Sequence, residues 1–210
     1  METQAALRIA LLGAESTGKT TLARELQAHF SALGRSAVAV PEALRDWCTR
    51  EGRTPRPDEQ LPIAQEQERR VDEAASQAQV VIADTTALMV AIYSAVLFED
   101  HGLVRFAIER QRGYDVTLVT GLDLPWVADG LQRDGPHVQE PIDAQVRAML
   151  GRAGLPYRVV YGGGAERVRN ALAAIDASLA PGQQVSNWVW QCDKCSDPDC
   201  EHRLFTRLSR

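Results

Sequence analysis

Gly13-Ala14-Glu15-Ser16-Thr17-Gly18-Lys19-Thr20 matches G-x-x-x-x-G-K-[ST] at every fixed position. Residues of those types at that spacing bind phosphate. The two glycines allow a backbone path that turns successive N–H groups inward around an anion. Lys19 places a cation beside the β- and γ-phosphates, Thr20 offers a hydroxyl to Mg²⁺, and the helix that must follow points its N-terminus at the same charge. The expected ligands of ATP·Mg²⁺ are therefore Gly13, Ala14, Glu15, Ser16, Thr17, Gly18, Lys19, Thr20 and Thr21. At average residue usage the fixed positions coincide by chance in about one chain in a hundred of this length.

Two acids follow apolar runs that read as strands. Glu42 follows Ala37–Val40, and Asp84 follows Val80–Ala83. Asp84 is placed to orient Mg²⁺, or else to cap the helix that starts near Ala87. Glu42 is placed to take a proton from an attacking hydroxyl or to hold the acceptor, or else is a solvated loop acid. Arg45, one helical turn on, reaches a phosphate or pairs with an acid. Trp47 reads as packing, and Cys48 as a small buried residue. A third cluster, Asp123 to Gly135, mixes Trp126, Asp129 and Arg133 with two glycines. Such a segment could close over a substrate, with Arg133 stabilising the transferred phosphoryl group, or could be a plain surface loop.

These residues need a scaffold that brings strand ends together. Short apolar runs at Leu7–Leu12, Ala37–Val40, Val80–Ala83, Val116–Thr120 and Tyr157–Tyr161 alternate with helical patterns at Thr20–Leu33, Gln60–Ala78, Ala87–Phe98 and Ala165–Leu179. Alternation of this kind predicts an α/β fold of the P-loop type, a five-stranded parallel sheet with helices on both faces. Ligands of such sheets sit beyond the carboxyl ends of the strands, where every candidate above falls. Gln60–Ala78 reads as polar and half-exposed, Ala87–Phe98 as buried. With 210 residues the chain can bury a core without staples, and its net charge of −5 argues against a nucleic-acid partner. No membrane-spanning run or signal peptide is evident, which gives a cytoplasmic expectation. A homo-oligomer is left open.

The character of the sequence changes after Leu179. Residues 1–180 read as the phosphate-binding domain, 181–186 as a linker, and 187–210 as a short Cys-rich element. Cys192-x-x-Cys195-x-x-x-x-Cys200-x-His202 supplies three thiolates and an imidazole, a set that tetrahedral Zn²⁺ accepts. The alternative is a redox-active tail without metal.

The phosphate loop, Pro41-Glu42-Ala43-Leu44-Arg45, Ala83-Asp84-Thr85 and Pro125-Trp126-Val127-Ala128-Asp129-Gly130-Leu131 together resemble the ribosylnicotinamide kinase domain of NadR-type proteins, over roughly Leu7 to Ile175. The resemblance implies a nucleoside/nucleotide-kinase-like fold and transfer of the ATP γ-phosphate to the 5′-hydroxyl of nicotinamide riboside. It implies phosphate binding by Lys19 and Thr20, a base or acceptor-binding role for Glu42, a Mg²⁺ role for Asp84, packing of Trp126 on the nicotinamide ring and contact of Asp129 with ribose hydroxyls. Two positions depart from the family pattern: Thr86 stands where Asp-Thr-Asp would put a second acid, and Gln132 precedes Arg133 where an arginine follows Gly-Leu directly. The rival reading is a nucleotide-dependent switch whose Cys-rich tail recruits a partner.

Overall fold

The computed structural model describes residues 5–127 and 135–180. The linker and Cys-rich tail, with Cys192, Cys195, Cys200 and His202, lie outside the described residues, as do Asp129, Gln132 and Arg133.

The five strands are β1 Leu7–Leu12, β2 Ala37–Val40, β3 Val80–Asp84, β4 Val116–Thr120 and β5 Arg158–Val160. All pairings are parallel, in the order β2-β3-β1-β4-β5. The central strand β1 is covered on both faces from Ile9 on, which is why Ile9–Leu12 is a continuous apolar run rather than an alternating one. Leu11 stands opposite Asp84, Leu12 opposite Val119, and Val40 opposite Ala83. The strands therefore end at one level, and each following loop opens on the same edge.

The helices are α1 Lys19–Ala32, α2 Ala43–Glu51, α3 Pro57–Ala75, α4 Ala87–Phe98, α5 Val104–Gln111, α6 Gln139–Arg152 and α7 Gly164–Leu179. On one face of the sheet, Ile9, Leu11, Ile82 and Leu118 pack with Leu22 and Leu26 of α1 and Ile175 of α7. On the other, Leu12 and Val119 pack with Ile63, Leu88, Ile92, Val146 and Leu150 from α3, α4 and α6. The two-residue period of a strand divides β3 between these layers: Val80 and Ile82 face α1, while Val81 and Ala83 meet Val71 of α3.

Three features differ from the sequence expectation. Helices α2, α5 and α6 are additional; α6 buries Ile142, Val146, Met149 and Leu150, a helical stripe. Helix α3 starts three residues early, with Pro57 at its first position, where the missing N–H costs nothing. Its polar residues are also less exposed than expected, because two of them serve neighbouring helix starts. Gln67 Oε1 accepts from Ala43 N–H at 2.7 Å, and Glu68 Oε1 accepts from Ala87 N–H at 2.8 Å. A carboxylate beside the first turn of α4 also matches the helix dipole. No described helix is long and apolar enough to cross a membrane.

Candidate active site

The phosphate loop runs from the end of β1 into α1. Gly13 has φ 140° and Gly18 φ 77°, and Ser16 joins them in the left-handed region at 57°. A Cβ on Gly13 would meet the Thr120 hydroxyl, and one on Gly18 would lie 2.9 Å from Leu124. Gly13 thus requires glycine for space as well as for backbone angle, and Gly18 chiefly for backbone angle. Thr17 turns into the core: its hydroxyl donates to Ala14 O at 2.8 Å and shares a 2.6 Å hydrogen bond with the Thr120 hydroxyl. The side chain of Thr17 staples the loop to β4. Lys19 Nζ donates to Gly13 O and Ala14 O at 3.0 and 2.7 Å, holding its charge at the mouth of the loop. Helix α1 begins without a side-chain cap, an arrangement suited to an anion at its N-terminus.

Thr20 and Asp84 meet directly, the hydroxyl donating to Asp84 Oδ2 at 2.5 Å. Asp84 is the last residue of β3, and the cap of α4 is Thr86, whose hydroxyl accepts from Leu88 N–H. Asp84 is therefore not the cap of α4. Thr86 also has a structural task where the resemblance led one to expect an acid: its hydroxyl donates to Gln111 Oε1 at 2.7 Å. Between them Thr85 has φ 76°, a conformation rarely adopted by a β-branched residue. The hydroxyl of Thr85 and Asp84 Oδ1 are buried without a hydrogen-bond partner among the described residues.

Glu42 stands at the start of α2, its side chain 18% exposed, with Arg45 Nη2 at 3.5 Å. Burial raises the pKa of its carboxyl above the ordinary value; Lys19 and Arg45 oppose that rise and Asp84 adds to it. Lys19, Glu42 and Asp84, from the ends of β1, β2 and β3, thus share one electrostatic neighbourhood.

The segment after β4 is fastened by its described flanks. Asp123 Oδ2 accepts from Gly162 N–H at 2.5 Å, and Asp123 Oδ1 accepts from Arg167 Nη1 at 3.1 Å. Arg167, buried in α7, also donates to Gly162 O at 2.6 Å and to Thr17 O at 2.9 Å. One guanidinium therefore ties the loops after β4 and β5 to the phosphate loop. Val127 N–H donates to Ser16 Oγ at 2.7 Å; Gly135 N–H and the Trp126 indole N–H donate to Glu15 Oε1 at 3.1 and 3.3 Å. The side chains of Glu15 and Ser16, two positions of the loop expected to bind phosphate, are thus engaged with this segment.

A cavity of about 1020 Å³ joins these parts. One wall is the phosphate loop from Gly13 to Thr21, apart from Ala14, which is buried beneath it; Asp84 lies behind Thr20. The opposite lobe is made by Glu42, Arg45 and Cys48 of the α2 region, Gln60 of α3, and Met89 and Tyr93 of α4. Trp126 is not on this wall. Trp47 packs against the core with Arg53 over its ring at 4.8 Å, and Cys48 is buried. Sequence reasoning missed Gln60, Tyr93 and Arg167. The first two carried a signal only as members of helices, and Arg167 carried none.

The residues fit a nucleotide with its divalent cation. A glycine-cradled loop backed by a lysine suits phosphates, and the Thr20 hydroxyl with the unpartnered Asp84 Oδ1 supplies hard oxygen donors. A family model described as an AAA domain matches residues 8–167, and the chain belongs to that family. Its five-stranded parallel sheet with a phosphate loop is shared with solved nucleoside-kinase-like structures. A NadR protein in complex with NR superposes with a TM-score of 0.66 at 18% identity, over 82% of this chain and 50% of that one. A NadR protein with NAD and AMP-PNP gives 0.65 at 17% identity, over 82% and 49%. Deoxyadenosine kinase from M. mycoides gives 0.55 at 14% identity, over 81% and 100%. The chain spans about half the length of the NadR structures. No curated protein matches the chain in sequence.

Proposed function

We propose that the chain is an ATP-dependent phosphotransferase acting on a nucleoside hydroxyl, with nicotinamide riboside as the acceptor. The observation that supports the reading is a cavity of about 1020 Å³ lined both by the phosphate loop and by a half-buried carboxylate, Glu42.

The chemistry assigned to the residues is a displacement. The acceptor hydroxyl loses its proton to Glu42 as its oxygen bonds to the γ-phosphorus of ATP. The bond from that phosphorus to the bridging oxygen breaks, and ADP leaves with the electron pair. The raised pKa of Glu42 brings its proton affinity closer to neutrality, which suits a base working there. Lys19 stands where charge grows on the transferred group and the leaving oxygen. Thr20 and Asp84 would hold Mg²⁺, which supplies charge neutralisation between the β- and γ-phosphates. Arg167 keeps the phosphate loop in register with the loops after β4 and β5. Those loops lie across β1 from Glu42, so they face the nucleoside end of ATP while the acceptor takes the β2–β3 side.

The similarity to NadR in complex with NR supports the choice of acceptor, and the similarity to deoxyadenosine kinase supports the wider nucleoside class. The test is ATP consumption with nicotinamide riboside and identification of the product by mass. Phosphorylation of a different nucleoside would replace the acceptor and keep the reaction class.

A further inference from the structure

Two buried polar groups lining the cavity lack hydrogen-bond partners among the described residues, the Thr85 hydroxyl at the end of β3 and the Gln60 carboxamide in the lobe opposite the phosphate loop. Gln60 is 3% exposed and lines the cavity, and its side-chain oxygen is buried without a partner. Its carboxamide makes no hydrogen bond among the described residues. The other buried glutamines of the described residues each make at least one hydrogen bond, although Gln67 Nε2 is also without a partner. Gln67 accepts from the start of α2, Gln111 bridges Thr86 and Thr117, and Gln139 donates to Glu15 O. A buried amide without a partner is costly, so one facing a cavity marks a place where a ligand can supply the missing bonds.

The position of Gln60 is fixed. It follows Glu59, whose carboxylate is gripped by the Arg53 guanidinium through two bonds of 2.8 and 2.7 Å and accepts from Arg56 N–H at 2.8 Å. Met89, Tyr93 and Cys48 line the same cavity. Met89 and Tyr93 suit a flat ring.

We propose that Gln60 reads the acceptor through a paired donor–acceptor edge. The cleft would then select a riboside whose ring carries a primary carboxamide or an equivalent amide edge, against one carrying a carboxylate. This rests on the phosphotransferase reading and names the acceptor chemistry of that same cleft. Two carboxamides pair head to tail, each N–H donating to the other oxygen. A carboxylate has no donor, so it leaves Gln60 Oε1 buried and unpaired and sets like partial charges together. Loss of such a pair weakens binding about 10- to 100-fold.

The experiment is calorimetric titration of the full chain, preloaded with Mg²⁺ and a non-hydrolysable ATP analogue, with nicotinamide riboside and with nicotinic acid riboside. The wild type should prefer the amide about 10- to 100-fold. Gln60→Leu should lose that preference by weakening the amide ligand, with thermal melting and affinity for the ATP analogue showing an intact fold. Gln60→Glu, which keeps the shape, should bind the carboxylate ligand more weakly still. Equal binding of the two ribosides by the wild type overturns the proposal. So does failure to bind either one, or unchanged affinity in both variants. Turnover separates the two readings. Gln60-dependent amide preference without phosphate transfer would sink the phosphotransferase and keep this site. Transfer that ignores Gln60 would do the reverse.

Discussion

Replacing Glu42 by Gln removes a proton acceptor while keeping size and hydrogen-bonding shape. Arg45 retains an oxygen at its present 3.5 Å contact, so the start of α2 should hold. A positioned general base contributes about 10²–10⁴ in rate. At 1.36 kcal/mol per decade, that is roughly 2.7–5.5 kcal/mol of barrier. The loss should fall on kcat. The variant also takes one negative charge away from the neighbourhood of Lys19 and Asp84, so the affinity for ATP should be unchanged or slightly tighter. A second signature follows from burial, which raises the Glu42 pKa above its unfolded value. Between those two values the folded state binds more protons than the unfolded one, so stability falls as pH rises through the window. Glu42→Gln should therefore raise the melting temperature at pH 8 and lose that advantage below the ordinary carboxylate range. The acid limb of the wild-type kcat/KM profile should also lie above that range and be absent from the residual activity of the variant. Steady-state kinetics from pH 5 to 9 with parallel melts measure both. A variant within about threefold of wild type throughout, with no pH-dependent stabilisation, refutes the role of Glu42 as base.

Lys19→Ala should leave the melt nearly unchanged and cost about 3 kcal/mol or more of barrier; near-normal turnover in a folded variant removes the basis of the site. Gly13→Ala would force a Cβ against the Thr120 hydroxyl and to 3.1 Å from Thr120 O, at a φ of 140°. It should lower stability by about 1–3 kcal/mol in urea titration and weaken ATP binding, whereas Gly34→Ala, which meets no neighbour, should leave ATP binding as it was. Cys192, Cys195, Cys200 and His202 are expected to hold one Zn²⁺ apart from phosphate transfer. Elemental analysis of protein purified without chelator should find one equivalent, and fully titratable native thiols without metal would remove that site.

The sheet was legible because its strands are short and mostly apolar, as a parallel sheet buried on both faces demands. Gly13 and Gly18 were legible because a phosphate loop constrains residue type at fixed spacing. Glu42 and Asp84 followed from the rule that ligands sit past strand ends. What escaped was whatever depends on side chains meeting across the fold. Arg167 is 150 residues from Thr17, and no local pattern announces their bond. Gln60 lies in a helix rich in polar residues, where one buried amide looks like its exposed neighbours. Trp126 is the instructive case. Its surrounding motif pointed to a ligand, yet its indole N–H meets Glu15, an acid in a free position of the phosphate loop. The spacing rule is silent about the free positions, so it had no means of showing that Glu15 and Ser16 anchor the segment after β4.

The central claim is that this cleft moves phosphate from ATP to a nucleoside hydroxyl. Its most direct test is a panel of nucleosides, nicotinamide riboside among them, incubated with the pure protein, ATP and Mg²⁺, with ADP and product mass followed together. The account predicts ADP release that depends on the acceptor and equals the amount of monophosphate formed, with nicotinamide riboside consumed. ADP release that is the same with and without every acceptor, and no phosphorylated nucleoside, would contradict it.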